Sequence, residues 1–138
     1  MQIREMTLKE LYTVYDVVKQ LHTELSYNEF EDLIYDMRHM EYKMFGIVER
    51  GELVCYGGAA VQTNLYHKRH LYIFDLVTDE KYRWQGYGKM MLEYLHDYAK
   101  TAACENIVLS SELEREEVHS FYEKSGFLKK SLLFVKSV

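Results

Sequence analysis

The residues Arg83-Trp84-Gln85-Gly86-Tyr87-Gly88-Lys89 have the composition of an anion site. Two glycines separated by one residue uncover the backbone where an amphipathic helix begins. Unpaired N–H groups at a helix start, with the positive end of its dipole, attract a phosphate. Arg83 and Lys89 flank that point, although the chain as a whole carries a formal charge of −5. The familiar phosphate loops fit poorly. A Walker A loop requires Ser or Thr after its lysine, and Met90 follows Lys89; a dinucleotide fingerprint requires glycine where Met91 stands. A second chemical candidate is Asp75, placed in the apolar run before the loop, where an unpartnered carboxylate would be costly. It could bind an ammonium, relay a proton through water, or form a structural ion pair.

Other constellations carry less. His67 and His70 have ligand-like spacing, but no Cys or carboxylate cluster completes a zinc set, so no metal is expected. Ser110, Ser111 and His119 invite a hydrolase reading, yet no nucleophile elbow surrounds them. Cys55 and Cys104 read as buried apolar residues. The charges from Glu112 to Glu117 read as a solvated helix face.

The elements that must position these residues follow from periodicity. Gln2–Met6 reads as an opening strand. Leu8, Leu11, Tyr12, Tyr15 and Val18 recur at helical spacing behind a Thr7 cap, and Phe30, Leu33, Ile34 and Met37 mark a second helix, with Asn28 as its cap. Lys43–Arg50 and Leu53–Gln62 read as a hairpin turning at Arg50-Gly51, and Gly57-Gly58 implies a bulge or a close approach. A further strand is expected from His70 to Thr78. The helix after the loop shows Tyr87, Met90, Met91, Tyr94, Leu95, Tyr98, Ala99 and Ala102 in i, i+3, i+4, i+7 order. Asn106–Ser111 reads as a buried strand, Ser111 and Glu114 as a capping box, and Gly126 as the stop of the last helix. Phe127–Lys130 and Leu132–Lys136 would then pair as two final strands. The expected fold is α/β, one domain over residues 1–138, with a mixed, mainly antiparallel sheet flanked by about four helices.

Composition bounds the function. At 138 residues, 48% hydrophobic and with 13 tyrosines, the chain is long and apolar enough to bury a core. No apolar run approaches the ~20 residues of a membrane span, and Met1–Met6 lacks a signal-peptide core. Two cysteines imply no disulfide framework, so a reduced, cytoplasmic setting is expected. The acidic balance argues against nucleic-acid binding and is compatible with a cationic amine.

The pattern Arg-x-x-Gly-x-Gly after the run Asp75 to Arg83 resembles the acyl-CoA pyrophosphate loop of the GNAT superfamily of N-acetyltransferases. A second block, Val118-His119-Ser120-Phe121-Tyr122-Glu123-Lys124-Ser125-Gly126-Phe127, resembles that family's C-terminal signature. The two blocks stand in the family's order, and the strand and helix pattern extends the match to nearly the whole chain. The resemblance implies transfer of an acetyl group from acetyl-CoA to an amine of a small molecule or peptide. It implies backbone contacts to the cofactor from Leu76, Val77 and Thr78 and a pyrophosphate cradle at Arg83, Trp84, Gln85, Gly86, Tyr87, Gly88 and Lys89. Tyr122 takes the position of a general acid for the CoA sulfur; a core tyrosine beside Phe121 is the structural alternative. Tyr27, Asn28 and Glu29 fall where the family builds its acceptor pocket. Dimerisation through the last strands is common in the family, and an edge strand at Leu132–Val135 would allow a homodimer. The chain departs from the pattern at Trp84, where glycine is common, and at Arg115 and Val118. It also carries Phe74-Asp75 where glucosamine-phosphate acetyltransferases carry Glu-Asp. A non-catalytic acetyl-CoA sensor is the alternative of a different class, distinguished by binding without turnover. A ribosome-associated acetyltransferase would need a basic face that the charge of −5 disfavours.

Overall fold

The apolar runs become five strands in one sheet, ordered β1-β2-β3-β4-β5, in a computed structural model that describes all 138 residues. The strands are β1 (Gln2–Glu5), β2 (Lys43–Glu49), β3 (Glu52–Asn64), β4 (Lys68–Thr78) and β5 (Asn106–Leu109). Successive pairs from β1 to β4 are antiparallel. Four helices accompany them: α1 (Leu11–Val18), α2 (Tyr27–Met37), α3 (Tyr87–Thr101) and α4 (Glu116–Lys124). This is the mixed, mainly antiparallel α/β arrangement that the periodicity implies. The chain divides into two units, Met1–Val108 and Leu109–Val138. No helix is long and apolar enough to cross a membrane.

In the first unit the sheet has an apolar core on each face. Leu11, Val14, Val17 and Val18 of α1 and Phe30 and Ile34 of α2 bury against Tyr42, Met44, Leu53, Tyr56 and Val77. On the opposite face, Met91 and Leu95 of α3 lie against Gly57, and Phe45 meets Tyr94 and Tyr98 edge-on at 5.5 and 5.1 Å. The stripe read on α3 thus becomes its buried face. On α1 the buried face is rotated from the expected one: Tyr12 points outward and stacks on Tyr27 at 4.1 Å. The β2–β3 turn falls where expected, with Arg50 and Gly51 at φ 51° and 80°, the left-handed pair that matches strand twist.

Several expected details are corrected. Ser26, not Asn28, caps α2: its hydroxyl accepts the Glu29 N–H at 3.2 Å while the Glu29 carboxylate accepts the Ser26 N–H. Ser111 and Glu114 form no capping box, because Glu112 to Arg115 closes a turn of its own and α4 begins only at Glu116. Cys104 is half-buried, whereas Cys55 is buried. The two C-terminal strands do not form; residues 127–138 have no regular structure, and Leu132 to Val135 are exposed. Lys130-Ser131 lacks the Gly or Asn of a tight hairpin turn, and two short strands without a third partner are marginal. No edge strand therefore exists at Leu132–Val135.

Candidate active site

β4 delivers the chain to the glycine loop. After Thr78, Asp79 caps a short 3-10 turn by accepting the Lys81 N–H at 2.9 Å, and Arg83 Nε donates to the Thr78 carbonyl at 3.2 Å. The loop is tied to the β2–β3 hairpin at both ends: the Tyr82 hydroxyl donates to Glu52, and that of Tyr87 to Glu49 at 2.8 Å. Those bonds raise the Tyr87 hydroxyl above its ordinary pKa and lower Glu49. Gly86, at φ 86°, makes the entry to α3, whose first helical bond runs from Met90 N–H to the Gly86 carbonyl. The N–H groups of Tyr87, Gly88 and Lys89 therefore have no intrahelical acceptor. Arg83, Trp84, Gln85 and Lys89 are exposed around this point. Trp84 takes φ 66°, a left-handed conformation unusual for a bulky residue.

The backbone before the loop pairs with β3 on one side. Leu76, Val77 and Thr78 pair with Gly57, Tyr56 and Cys55 of β3. On the other edge β5 enters beside Arg69, whose carbonyl accepts the Glu105 N–H at 2.7 Å. A strand of four residues spans about 13 Å, so β5 itself ends well short of Leu76, and on that edge the Thr78 carbonyl is taken by Arg83 Nε.

Asp75 owes its setting to a bulge. Pairing with β3 steps from Gly58↔Asp75 to Ala59↔Ile73, which makes Phe74 an extra residue on β4. In a regular strand neighbouring side chains face opposite ways; here Phe74 and Asp75 both turn to Tyr42. The Phe74 ring meets Tyr42 edge-on at 5.5 Å, and the Tyr42 hydroxyl donates to Asp75 Oδ2 at 3.0 Å. With its proton on Asp75, Tyr42 accepts from the Tyr56 hydroxyl at 2.7 Å. Burial pushes both phenols well above the ordinary tyrosine value, so both remain donors. Gly58 makes the space: a Cβ there would lie 1.7 Å from the Tyr42 hydroxyl. The close approach read from Gly57-Gly58 is thus a tyrosine on one face and Met91 on the other.

The remaining oxygen, Asp75 Oδ1, meets His22 Nε2 at 2.5 Å. His22 lies in the connection between α1 and α2, held by its N–H to the Val18 carbonyl at 2.9 Å. The same connection is pinned to the end of β4 by Gln20, whose side chain accepts the Glu80 N–H at 2.9 Å. Sequence reasoning missed His22, since 53 residues separate it from Asp75 and no local motif marks it.

The acceptor candidates sit at the start of α2. Tyr27 is half-buried between Tyr12 and Tyr15 and bonds Glu31 at 3.1 Å; desolvation first, then Glu31, raises its hydroxyl to about 12. Asn28 is exposed, and Glu29 is engaged in the cap. Tyr122 belongs to the second unit. There α4 ends in a Schellman motif: Phe127 N–H reaches the Tyr122 carbonyl at 3.0 Å and Gly126 N–H the Glu123 carbonyl at 3.1 Å. The Phe127 ring closes on Tyr122 edge-on at 5.7 Å, and burial raises the Tyr122 hydroxyl, partly offset by Arg115.

A five-stranded mixed sheet with an exposed helix start after its fourth strand is an α/β architecture, and its relatives identify the family. Residues 6–127 match the acetyltransferase (GNAT) family. The chain is 34% identical to the uncharacterized N-acetyltransferase YhdJ of Bacillus subtilis (strain 168), covering 99% of this chain and 98% of that protein. It is 26% identical to the aminoalkylphosphonate N-acetyltransferase of Salmonella typhimurium (strain LT2), covering 99% and 91%. Among solved structures, the aminoglycoside N-acetyltransferase AAC(6')-Iy in complex with CoA matches with a TM-score of 0.85 at 13% identity, covering 99% and 93%. The chain belongs to the GNAT family and is an acyltransferase that moves an acetyl group to an amine. The family generally uses acetyl-CoA as donor.

Proposed function

We propose that this enzyme transfers the acetyl group of acetyl-CoA to the primary amine of a small molecule by direct attack. The observation that carries this reading is the α3 start, where the N–H groups of Tyr87, Gly88 and Lys89 have no intrahelical acceptor, placed directly after the strand that carries Leu76, Val77 and Thr78. An extended amide-bearing chain ending in a pyrophosphate fits that order: strand backbone first, then an anion at the helix start. Arg83, Trp84, Gln85 and Gly86 complete the cradle. Acetyl-CoA supplies an acyl carbon activated as a thioester; the protein binds it, orients it and manages two protons.

The acceptor arrives as an ammonium and must lose one proton before its lone pair can attack the acyl carbon. The C–N bond forms, the C–S bond breaks, and the departing thiolate takes the second proton. Tyr122 is our candidate donor, because a phenol held above its ordinary pKa stays protonated through neutral pH. Asp75 lies one residue before Leu76, on the amine side. Tyr27, Asn28 and Glu29 are proposed to border the acceptor. The named activity of the Salmonella relative points to small aminoalkylphosphonates as the first acceptors to try, ahead of peptide amines.

The test is thermal unfolding with and without acetyl-CoA, in the wild type and in Gly86→Glu, followed by turnover with (aminomethyl)phosphonate. At one hundred times its dissociation constant a ligand adds about 2.7 kcal/mol, or roughly ten degrees at this chain length. A shift in the wild type that the variant loses is expected. No shift in a folded wild type would overturn the reading.

A further inference from the structure

The His22–Asp75 pair is more than an ion pair on the surface, and its chemistry can be worked out from what each atom already does. Asp75 has both oxygens engaged, Oδ1 with His22 and Oδ2 with the buried Tyr42 hydroxyl. Its side chain is only 14% exposed, whereas that of His22 is 46% exposed. An ionised carboxylate can only accept, so His22 Nε2 carries the hydrogen and the basic lone pair lies on Nδ1. A carboxylate behind one ring nitrogen fixes the tautomer and offsets the positive charge that develops when the other nitrogen takes a proton.

We infer that His22 is the proton acceptor for the incoming ammonium, with Asp75, Tyr42 and Tyr56 as positioning residues behind it. This rests on the acetyltransferase reading above, and it assigns the amine-side proton step to a residue on the α1–α2 connection. The ammonium N–H bond breaks as the proton passes to His22 Nδ1, leaving its electron pair on nitrogen for attack on the acyl carbon. The imidazolium formed is balanced by Asp75, and it returns the proton to solvent after transfer. No further reactant is required.

Asp75 is bonded by His22 from the α1–α2 connection and by Tyr42, just before β2, which in turn bonds Tyr56 of β3. Burial holds both tyrosines in the protonated, donating form. Glu80, after β4, is tied to Gln20 through its backbone N–H.

The experiment measures kcat/KM from pH 6 to pH 9 with acetyl-CoA and four amines: (aminomethyl)phosphonate, glucosamine 6-phosphate, spermidine and a lysine peptide. In His22→Gln the rate near neutral pH is expected to fall by about 10² to 10³-fold. It should then climb about tenfold per pH unit, because bulk deprotonation must supply the free amine. The acetyl-CoA thermal shift should be unchanged in that variant, which separates lost chemistry from lost folding or donor binding. Tyr42→Phe removes a donor to the carboxylate behind His22, so the pH profile of kcat/KM should differ from that of the wild type. A His22→Gln enzyme with the wild-type rate and slope at every pH would overturn this inference and leave the acetyltransferase reading intact. A wild type that acetylates none of the four amines overturns both.

Discussion

Gly58→Ala should be far more damaging than a one-carbon change in a strand ordinarily is. The added Cβ would sit 1.7 Å from the Tyr42 hydroxyl oxygen and 2.4 Å from the ring carbon bearing it, so the ring itself must move. Overpacking of a core by one methyl group typically costs about 1–3 kcal/mol. Displacing Tyr42 also strips Tyr56 and Asp75 of their shared partner, and a buried polar group left unsatisfied adds about 1–3 kcal/mol. The sum is about 2–6 kcal/mol. For a chain of 138 residues, with roughly 2.1 cal/mol/K of unfolding entropy per residue, this lowers the midpoint by about 7–21 °C. The assay is denaturant unfolding of wild type, Gly58→Ala, Tyr42→Ala and the double variant. Because both single changes act on one contact, the double variant should be more stable than additivity predicts by more than about 1 kcal/mol. A loss below about 1 kcal/mol for Gly58→Ala, or strict additivity, would refute the close packing of Tyr42 on Gly58.

Trp84 is exposed to 96% and holds φ 66°, so Trp84→Gly relieves left-handed strain while losing no burial. Strain of about 1–2 kcal/mol, less the entropy glycine adds to the unfolded chain, leaves a net gain of about 0.5–1 kcal/mol; a lower unfolding midpoint would contradict it. Tyr122→Phe keeps the ring against Phe127 and removes only the hydroxyl, so kcat should fall by about 10² to 10⁴-fold with the acetyl-CoA thermal shift retained. Full kcat across the pH range would exclude Tyr122 as the acid. Arg4 grips Glu10 through two bonds of 3.0 and 2.7 Å and, with the Thr7 N–H, holds its carboxyl down from 4.5 to about 2. A lowered folded pKa contributes stability above the unfolded value that is lost as pH falls from about 5 to about 2. After solvent screening the contribution is about 1 kcal/mol, and Arg4→Ala should flatten urea stability across that window.

What the sequence discloses here is local, and what it hides is made by packing across the sheet. The glycine loop, the Arg50-Gly51 turn and the Gly126 stop each depend on backbone conformations that a few adjacent residues dictate, and each stands where the residue types put it. The α3 stripe is legible because one long helix averages over many positions. On α1 the same reasoning misassigns Tyr12, since in an eight-residue helix a single aromatic can rotate the inferred face. Asp75 is visible as a charge among apolar residues, but its partner His22 is not. The bulge at Phe74 is hidden as well, because one extra residue in β4 leaves no mark on composition and yet turns two neighbouring side chains to one face. The C-terminal strands fail for a related reason: alternation of apolar residues proposes a strand, but a ladder needs a partner that sequence alone does not supply.

The surroundings of Asp75 also bear on what it is for. A histidine–carboxylate pair whose imidazole is half-exposed contributes on the order of 1 kcal/mol to stability. Against that stand a glycine in the middle of β3, which weakens a strand by roughly 0.5–1 kcal/mol relative to alanine, and a bulge that interrupts the ladder. Two tyrosine hydroxyls are buried to place one hydrogen bond on the carboxylate. An apolar residue at position 75, with alanine at 58 and a regular β4, would meet the needs of folding with fewer special features. The arrangement makes physical sense when the carboxylate must be held at one orientation beside a solvent-reaching imidazole, one residue before Leu76. Stability alone does not select that arrangement; the proton transfer proposed for His22 would.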